Sequence, residues 1–246
     1  MKLYKKLLPA AMLLGVSLTL TACGQNNDNG KSSNASSSTN VSSSSQSSSV
    51  SESSQSSSAS SSASATMNSK LGDAKVPAND GSKSNGSADT KTHGNKDNFN
   101  IDYKNGGQVY ATYTKHTYNS NDEAHQQIDN YQTSEDTKGL PTIDLGYNIQ
   151  GSKDQGAGQI YIHWNMGNWS MSTHGNNVDE NSNDAQKEAV KAVKFLQSNT
   201  LPAPQNRGVI TLDGSDNQVK WQEQNAVYTV KATTADAALR IATSIK

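Results

Sequence analysis

A serine-rich tract in the N-terminal part of the chain limits most strongly what this sequence can fold into. Residues 31–66 contain 22 Ser in 36 positions, no aromatic residue, and no large aliphatic residue except Val41 and Val50. Such a segment cannot bury enough apolar surface to offset the conformational entropy that its backbone would lose on ordering. The sequence therefore predicts a disordered region here and a folded domain elsewhere.

The shortage of apolar residues extends beyond the tract on both sides. From Gly24 to about Asn98 the chain consists chiefly of Ser, Asn, Gly, Asp and Lys, without apolar periodicity. We therefore predict that residues 23–98 form a long disordered tether. A flexible coil of this length has a root-mean-square reach of roughly 50 Å. Such a tether would hold a domain away from a membrane, in or across a cell wall.

The first residues of the chain have the pattern of a secretion signal. Three lysines precede a mostly apolar run, residues 7–20, which is shorter than the ~20 residues that a membrane-spanning helix needs. Small residues follow, and then Cys23, the single Cys of the chain. An intrachain disulfide is therefore impossible, and the thiol is free for modification.

The tetrad Leu20-Thr21-Ala22-Cys23 resembles the lipobox of bacterial lipoproteins. The resemblance implies that residues 1–22 are a signal peptide and that Cys23 is diacylated and becomes the mature N-terminus. It also implies a lipid anchor in the cell membrane, with the protein on the extracellular side. A cleaved soluble secretory protein with a chance Cys at this position is the alternative.

Residues 99–246 are predicted to form the folded domain. They contain all three Trp, and they carry 12 Lys and Arg against 16 Asp and Glu. Nucleic acids and anionic lipids are bound by basic clusters, which this acidic balance does not provide. We therefore expect no nucleic-acid partner.

Residue patterns in this domain predict strands that alternate with helices. The predicted strands cover residues 108–118, 142–150, 158–164, 169–174, 208–212, 218–223 and 226–232, and the predicted helices cover residues 123–131, 183–197 and 235–245. In the second strand, Ile143, Leu145, Tyr147 and Ile149 would share one face. Residues 165–168 are predicted to form a four-residue hairpin turn. The order predicts an α+β domain, an antiparallel sheet with helices packed on one face.

The C-terminal part of the domain also resembles a known group of proteins. The pattern Val219-x-Trp221 is followed by Val227-Tyr228-Thr229-Val230 and by Ala-Ala-Leu-Arg-Ile-Ala-Thr-Ser-Ile at 237–245. Together with the lipobox and the tether, it resembles uncharacterised Ser-rich-tethered surface lipoproteins of lactobacilli and related Gram-positive bacteria. The resemblance covers about residues 100–246. It implies an architecture and a location, and it implies no activity.

No residue pattern indicates catalysis or metal binding. The five His lack the short spacing of zinc ligands, and no Cys remains to help them. Residues 146–153 differ from a P-loop, because Lys153 does not directly follow the second Gly. No Ser lies in a G-x-S-x-G elbow. We therefore predict no catalytic residue, no metal and no cofactor.

Aromatic residues offer the one indication of a binding surface. Flat amphipathic rings bind glycans and peptides well. Alternation along the strands places Trp164 and Trp169 on the face of Ile160 and Ile162, which favours a role in the core. Tyr161, His163 and Ser170 point the other way, and they are our candidate ligand-binding residues.

These patterns predict a cell-surface lipoprotein that displays a small non-enzymatic binding or interaction domain at the envelope. Its expected partners are the membrane, through the lipid on Cys23, and a cell-wall polymer or an envelope protein. An extracellular enzyme acting on a cell-wall or other surface substrate is one alternative. A structural or sensory envelope protein is another.

Overall fold

The computed structural model describes residues 71–82, 88–176 and 183–246, which form a ten-stranded sheet with three short helices. The predicted signal peptide, Cys23 and the serine-rich tract lie outside the described residues. Within the described ranges, no helix is both long enough and apolar enough to cross a membrane.

The sheet is mixed rather than purely antiparallel. Its strands are β1 (Asp89–Gly94), β2 (Phe99–Asn105), β3 (Gln108–Thr117), β4 (Thr142–Asp144), β5 (Gln150–Gly156), β6 (Gln159–Met166), β7 (Trp169–Asn176), β8 (Gly208–Asp213), β9 (Asp216–Glu223) and β10 (Ala226–Ala232), and its helices are α1 (Asn121–Gln126), α2 (Asp184–Leu196) and α3 (Ala235–Thr243). The spatial order is β1-β2-β3-β10-β9-β8-β7-β6-β5-β4. Only the β7–β8 pair is parallel, and this corrects the predicted antiparallel sheet. Parallel neighbours need a crossover connection, and α2 lies in that connection.

One face of the sheet, which we call the inner face, holds the main core. Alternate side chains of the central strands are buried there, among them Ile162, Ile210 and Trp221. The apolar stripes of α2 and α3 pack on the same face and belong to the same buried cluster. Thr234 caps α3 by accepting a hydrogen bond from the amide of Ala237, so both the cap and the stripe specify this helix.

The opposite face, the outer face, carries α1. Ala124 and Ile128 pack there against Val209 and Val227, in a second and smaller core. Val209 precedes Ile210 of the inner face, and side chains alternate along a strand. The expectation that all helices pack on one face is therefore wrong for α1. The few apolar residues of α1 and the turn after it are buried against the outer face instead.

The folded domain begins well before residue 99. Leu71 is 1% exposed, and the Tyr113 hydroxyl donates a hydrogen bond to the Lys75 carbonyl at 3.0 Å. Gly81 has a φ of +81°, and a Cβ there would lie 2.8 Å from the carbonyl oxygen of Ala237, so the chain passes close to α3. Residues 71–82 and the exposed edge strand β1 thus correct the predicted boundaries of the tether, 23–98, and of the domain, 99–246. These segments are mainly polar, so their sequences lack the apolar periodicity that would have predicted packing.

Two turns differ from the prediction. Met166 pairs with Trp169, so the β6–β7 hairpin closes through the two residues Gly167 and Asn168, not through four. Gly167 has a φ of +58°, which the first central residue of a type II′ turn requires. The predicted strand 142–150 is also interrupted, because Tyr147 and its neighbours on both sides have positive φ. The chain turns there into β5, and Tyr147 is exposed rather than buried.

Candidate functional site

The outer face carries a continuous line of outward-pointing residues across the whole sheet. Successive register pairs join one residue from each strand in the order Thr142, Ser152, His163, Ser172, Thr211, Gln218, Lys231, Thr112, Asp102 and Lys91. We call these ten residues the polar row, and none of them is buried. At a strand spacing of about 4.8 Å, the row is roughly 40 Å long.

Residues 118–141, which we call the outer wall, pack beside the polar row. The backbone amide of Gln132 donates a hydrogen bond to Ser170 Oγ at 3.0 Å, and Asn165 Nδ2 donates to the Gln132 carbonyl at 2.9 Å. Lys220 Nζ lies 2.7 Å from Asp129 Oδ1. Ser170, Asn165 and Lys220 are each one outward position along their strands from the polar row, so the wall borders the row on one side.

The contact between Lys220 and Asp129 also has an electrostatic consequence. The hydrogen bond from Lys220 holds the pKa of the Asp129 carboxyl below its usual value. Asp129 is therefore ionised at neutral pH, and it pairs with a cation of strand β9. This ion pair helps to fix the outer wall on the sheet and occupies the Lys220 ammonium.

Three rings gather near one end of the polar row, on strands β6 and β7. The Tyr161 and His174 rings are nearly parallel, with their centroids 4.5 Å apart, and the Tyr161 and His163 centroids are 6.1 Å apart. We call these three residues the ring cluster. Tyr161 and His174 pair with each other one outward position beyond the polar row, on the side away from the outer wall. Tyr161 is 39% exposed.

Hydrogen bonds fix the His174 ring of this cluster. His174 Nδ1 lies 2.8 Å from Asp213 Oδ1, and His174 Nε2 bonds the side-chain oxygen of Gln159. Both nitrogens of the imidazole therefore have partners. Because the His174 ring is held in place, the Tyr161 ring that stacks on it is also restricted.

The surroundings of the ring cluster are acidic. Asp154 pairs with Tyr161 across the strands, and Asp213 and Asp216 pair with each other at the β8–β9 turn. The outward positions of strands β5 to β8 contain no Lys or Arg. Burial lowers the pKa of His163, and the nearby Asp154 offsets this only in part. His163 therefore adds little positive charge at neutral pH.

The structure brings together two of the three predicted site residues. Tyr161 and His163 lie side by side on the outer face, as expected. Ser170 is 5% exposed beneath the outer wall, where it accepts the hydrogen bond from Gln132. It is therefore separated from the open surface, and its role there is structural.

A single register error accounts for both the misplaced serine and the missed histidine. The predicted four-residue turn paired His163 with Ser170, whereas the two-residue turn pairs it with Ser172. The same shift of two residues brings His174 opposite Tyr161. The signal that identifies the correct turn is Gly167 followed by Asn168, since Gly at the first central position suits a type II′ hairpin.

The ring cluster and its neighbours include one pair of side chains that is also found in catalytic sites. Hydrolases use an Asp–His pair of the kind formed by Asp213 and His174, in which the carboxylate orients the imidazole as a base. In such a pair the other ring nitrogen takes the proton of the nucleophile, but here His174 Nε2 is hydrogen-bonded to Gln159. In the described part of the chain, no three His, Cys, Asp or Glu side chains are grouped to hold a metal ion. What the region offers is ring surface, hydroxyl groups, an amide and carboxylates.

Two of the cavities in the described part of the chain are lined mostly by residues that do not belong to the outer face, although His174 also lines the first of them. One, of about 510 Å³, is a cleft between α2 and α3, with Asp184, Glu188 and Asp236 on its walls. Two of these acids lie in the first turns of their helices, where they stabilise the helix dipole, so they have a structural role already. The other, of about 480 Å³, lies beside the β6–β7 turn and is mainly apolar.

Comparison with known proteins gave no match: no protein-family model, curated protein or solved structure was significantly similar to this chain. Function must therefore be inferred from the geometry and chemistry of the outer face and from the sequence of the N-terminus.

Proposed function

We propose that the protein is a non-enzymatic cell-surface lipoprotein, anchored through Cys23, whose domain binds a component of the cell envelope with its outer face. The observation that carries this proposal is the ring cluster, a set of ordered rings on an open and otherwise polar surface. The lipobox and the predicted tether support the location.

The contrast between the rings of the two faces supports this assignment. Trp221, Tyr113 and Tyr228 on the inner face stack on one another in the core. Tyr161 contributes nothing to that core, yet hydrogen bonds and stacking hold its neighbour His174 in place. Rigid rings lose little conformational entropy when a ligand binds, and this favours affinity.

The first experiment separates anchoring from binding. The wild-type full chain is expected in the membrane fraction and is labelled by a palmitate analogue, whereas Cys23→Ser is released and unlabelled. The Cys23→Ser chain keeps the whole domain, and it is expected to bind cell walls isolated from the producing organism in a saturable way.

Matched tyrosine variants of the Cys23→Ser chain then locate the binding surface. Tyr161→Ala should weaken wall binding at least tenfold, while Tyr147→Ala, which removes an exposed ring from the β4–β5 turn, should leave it unchanged. Equal binding by both variants would place the contact elsewhere and contradict the proposal. Turnover of wall material that is lost in His174→Ala would favour the enzymatic alternative.

A further inference from the structure

The geometry of the outer face points to an uncharged glycan chain as the ligand, lying across the strands along the polar row and reaching the ring cluster. This inference rests on the function proposed above and adds to it the chemical class of the ligand and its direction of binding.

The shape of the polar row suits an extended chain. The row residues between the ring cluster and β9, Ser172 and Thr211, are short, and so is Ser152 on the other side of His163, so no long side chain of the row interrupts the surface there. The outer wall borders the row on one side, and Tyr161 with His174 borders it on the other. The strand spacing of about 4.8 Å is similar to the rise of one sugar unit in an extended glycan, so successive units can meet successive strands.

The hydrogen-bonding groups of the row match those of sugars. Seven of its ten residues carry hydroxyl, amide or imidazole groups, which can both donate and accept, as sugar hydroxyls do. The three charged residues of the row, Lys231, Asp102 and Lys91, lie in its β10–β1 half. An extended peptide would instead gain most from pairing its backbone with the edge of a sheet. The backbone groups of the central strands are already used in the sheet, and the face presents only side chains. The row therefore favours a ligand that hydrogen-bonds through many hydroxyls.

The charge around the ring cluster disfavours a polyanion. Asp154, Asp213 and Asp216 lie around the ring cluster. The Lys220 ammonium is engaged by Asp129, and the two lysines of the polar row, Lys231 and Lys91, lie on β10 and β1, away from the rings. A phosphate-rich wall polymer or a nucleic acid would be repelled there, because such ligands are bound by free Lys and Arg. An uncharged glycan meets no such repulsion, and its hydroxyls can donate to the three carboxylates.

The rings supply the remaining contact. The apolar C–H face of a pyranose packs well against an aromatic ring, and this contact does not require charge. Tyr161 is exposed enough to make it, and the adjacent Asp154 can accept a hydrogen bond from the same sugar. One end of the chain is thus fixed at the ring cluster, and further units add contacts along the row.

The test uses the full chain with Cys23→Ser and oligomers of N-acetylglucosamine, from the disaccharide to the octasaccharide, with titration calorimetry as the readout. We expect the dissociation constant to fall at least tenfold over this series. Thr211→Leu replaces a hydroxyl of the row with a larger apolar group, and it should reduce the octasaccharide affinity to that of the short oligomers. Thr200→Leu, an exposed threonine between α2 and β8, is the matched control and should change nothing. Unchanged unfolding midpoints would show that both variants fold.

Three results would overturn the inference. The first is an affinity that does not depend on oligomer length, and the second is tighter binding to poly(glycerol phosphate) than to the octasaccharide. The third is that the protein binds cell walls and loses this binding in Tyr161→Ala, yet binds no neutral oligosaccharide. In that third case the function proposed above would still stand, whereas a chain that binds no cell walls would contradict the proposed function itself.

Discussion

The two faces of the sheet are made by the same strands, yet they carry different residues. On strand β9, Val219 and Trp221 point inward and are fully buried, while Gln218 and Lys220 point outward and are partly exposed. On β3, Ala111 and Tyr113 point inward, and Thr112 lies in the polar row. Alternation therefore divides each strand into residues that form the main core and residues that point to the outer face, where those not covered by the outer wall can contact a ligand.

The role of the inner face in stability is tested most directly at Trp221. Its side chain has no exposed surface, and its ring stacks against Tyr228 at 5.2 Å and lies near Trp169. Trp221→Ala should lower the free energy of unfolding by about 3–5 kcal/mol, because it removes buried surface and leaves a cavity. Urea unfolding followed by circular dichroism would measure it.

The control for this variant keeps the ring. Trp221→Phe retains most of the stacking, so it should cost clearly less than Trp221→Ala. A loss below about 1 kcal/mol for Trp221→Ala would be typical of surface positions and would contradict the assignment of the core to the inner face.

The same substitution, Thr to Val, at one threonine on each face compares how much the two faces contribute to stability. Thr173 is fully buried on the inner side, and its hydroxyl donates a hydrogen bond to the Ala185 carbonyl at 2.7 Å, which ties β7 to α2. Thr173→Val should cost about 1 kcal/mol through the loss of that bond. Thr211→Val, in the polar row, should change the unfolding free energy by less than about 0.5 kcal/mol. Equal costs in chemical denaturation would show that the outer face is as important for stability as the inner one.

Most of the inner face could be predicted from the sequence. Strands β3, β6, β7, β8, β9 and β10 and helices α2 and α3 lie close to their predicted positions, because apolar residues recur there with the period of each element. The inward direction of Trp164 and Trp169 followed from the same alternation. The predicted strands 218–223 and 226–232 also leave Gln224 and Asn225 between them, and the β9–β10 turn lies there, with a positive φ at Gln224.

The parts that the sequence did not predict have little apolar pattern. Strand β1 has the sequence Asp-Thr-Lys-Thr-His-Gly, and it belongs to the sheet only through its pairing with β2. Strand β5 has the sequence Gln-Gly-Ser-Lys-Asp-Gln-Gly, and a Cβ at Gly151 would lie 2.9 Å from Leu145 Cδ1, so any larger residue there would make the Leu145 side chain shift. Such residues are placed by tertiary contacts, which periodicity within one segment does not reveal.

The same limit applies to the candidate site. Alternation along a strand predicts which residues point outward, and it correctly predicted Tyr161 and His163. Which of them become neighbours depends on register, and a turn shorter by two residues exchanged Ser170 for Ser172 and brought in His174. The polar row could not be predicted at all, because it crosses ten strands whose spatial order differs from their order in the chain.

The smallest expected effect concerns the protonation of His163 on the outer face. Burial lowers the pKa of this imidazole in the folded protein, so the unfolded chain binds the proton more readily. As pH falls through the range between the ordinary imidazole pKa and the lowered one, the free energy of unfolding should therefore decrease, with no further loss from this group below that range. His163→Gln should remove this decrease in the free energy of unfolding. The decrease at lower pH, where carboxyl groups are protonated, should remain, because the pKa values of Asp129 and Asp136 are also lowered in the folded protein. Urea unfolding of both proteins at a series of pH values would measure the difference. Superimposable profiles, or a wild-type protein that becomes more stable than the variant on acidification, would show that His163 is as well solvated as the rest of the outer face.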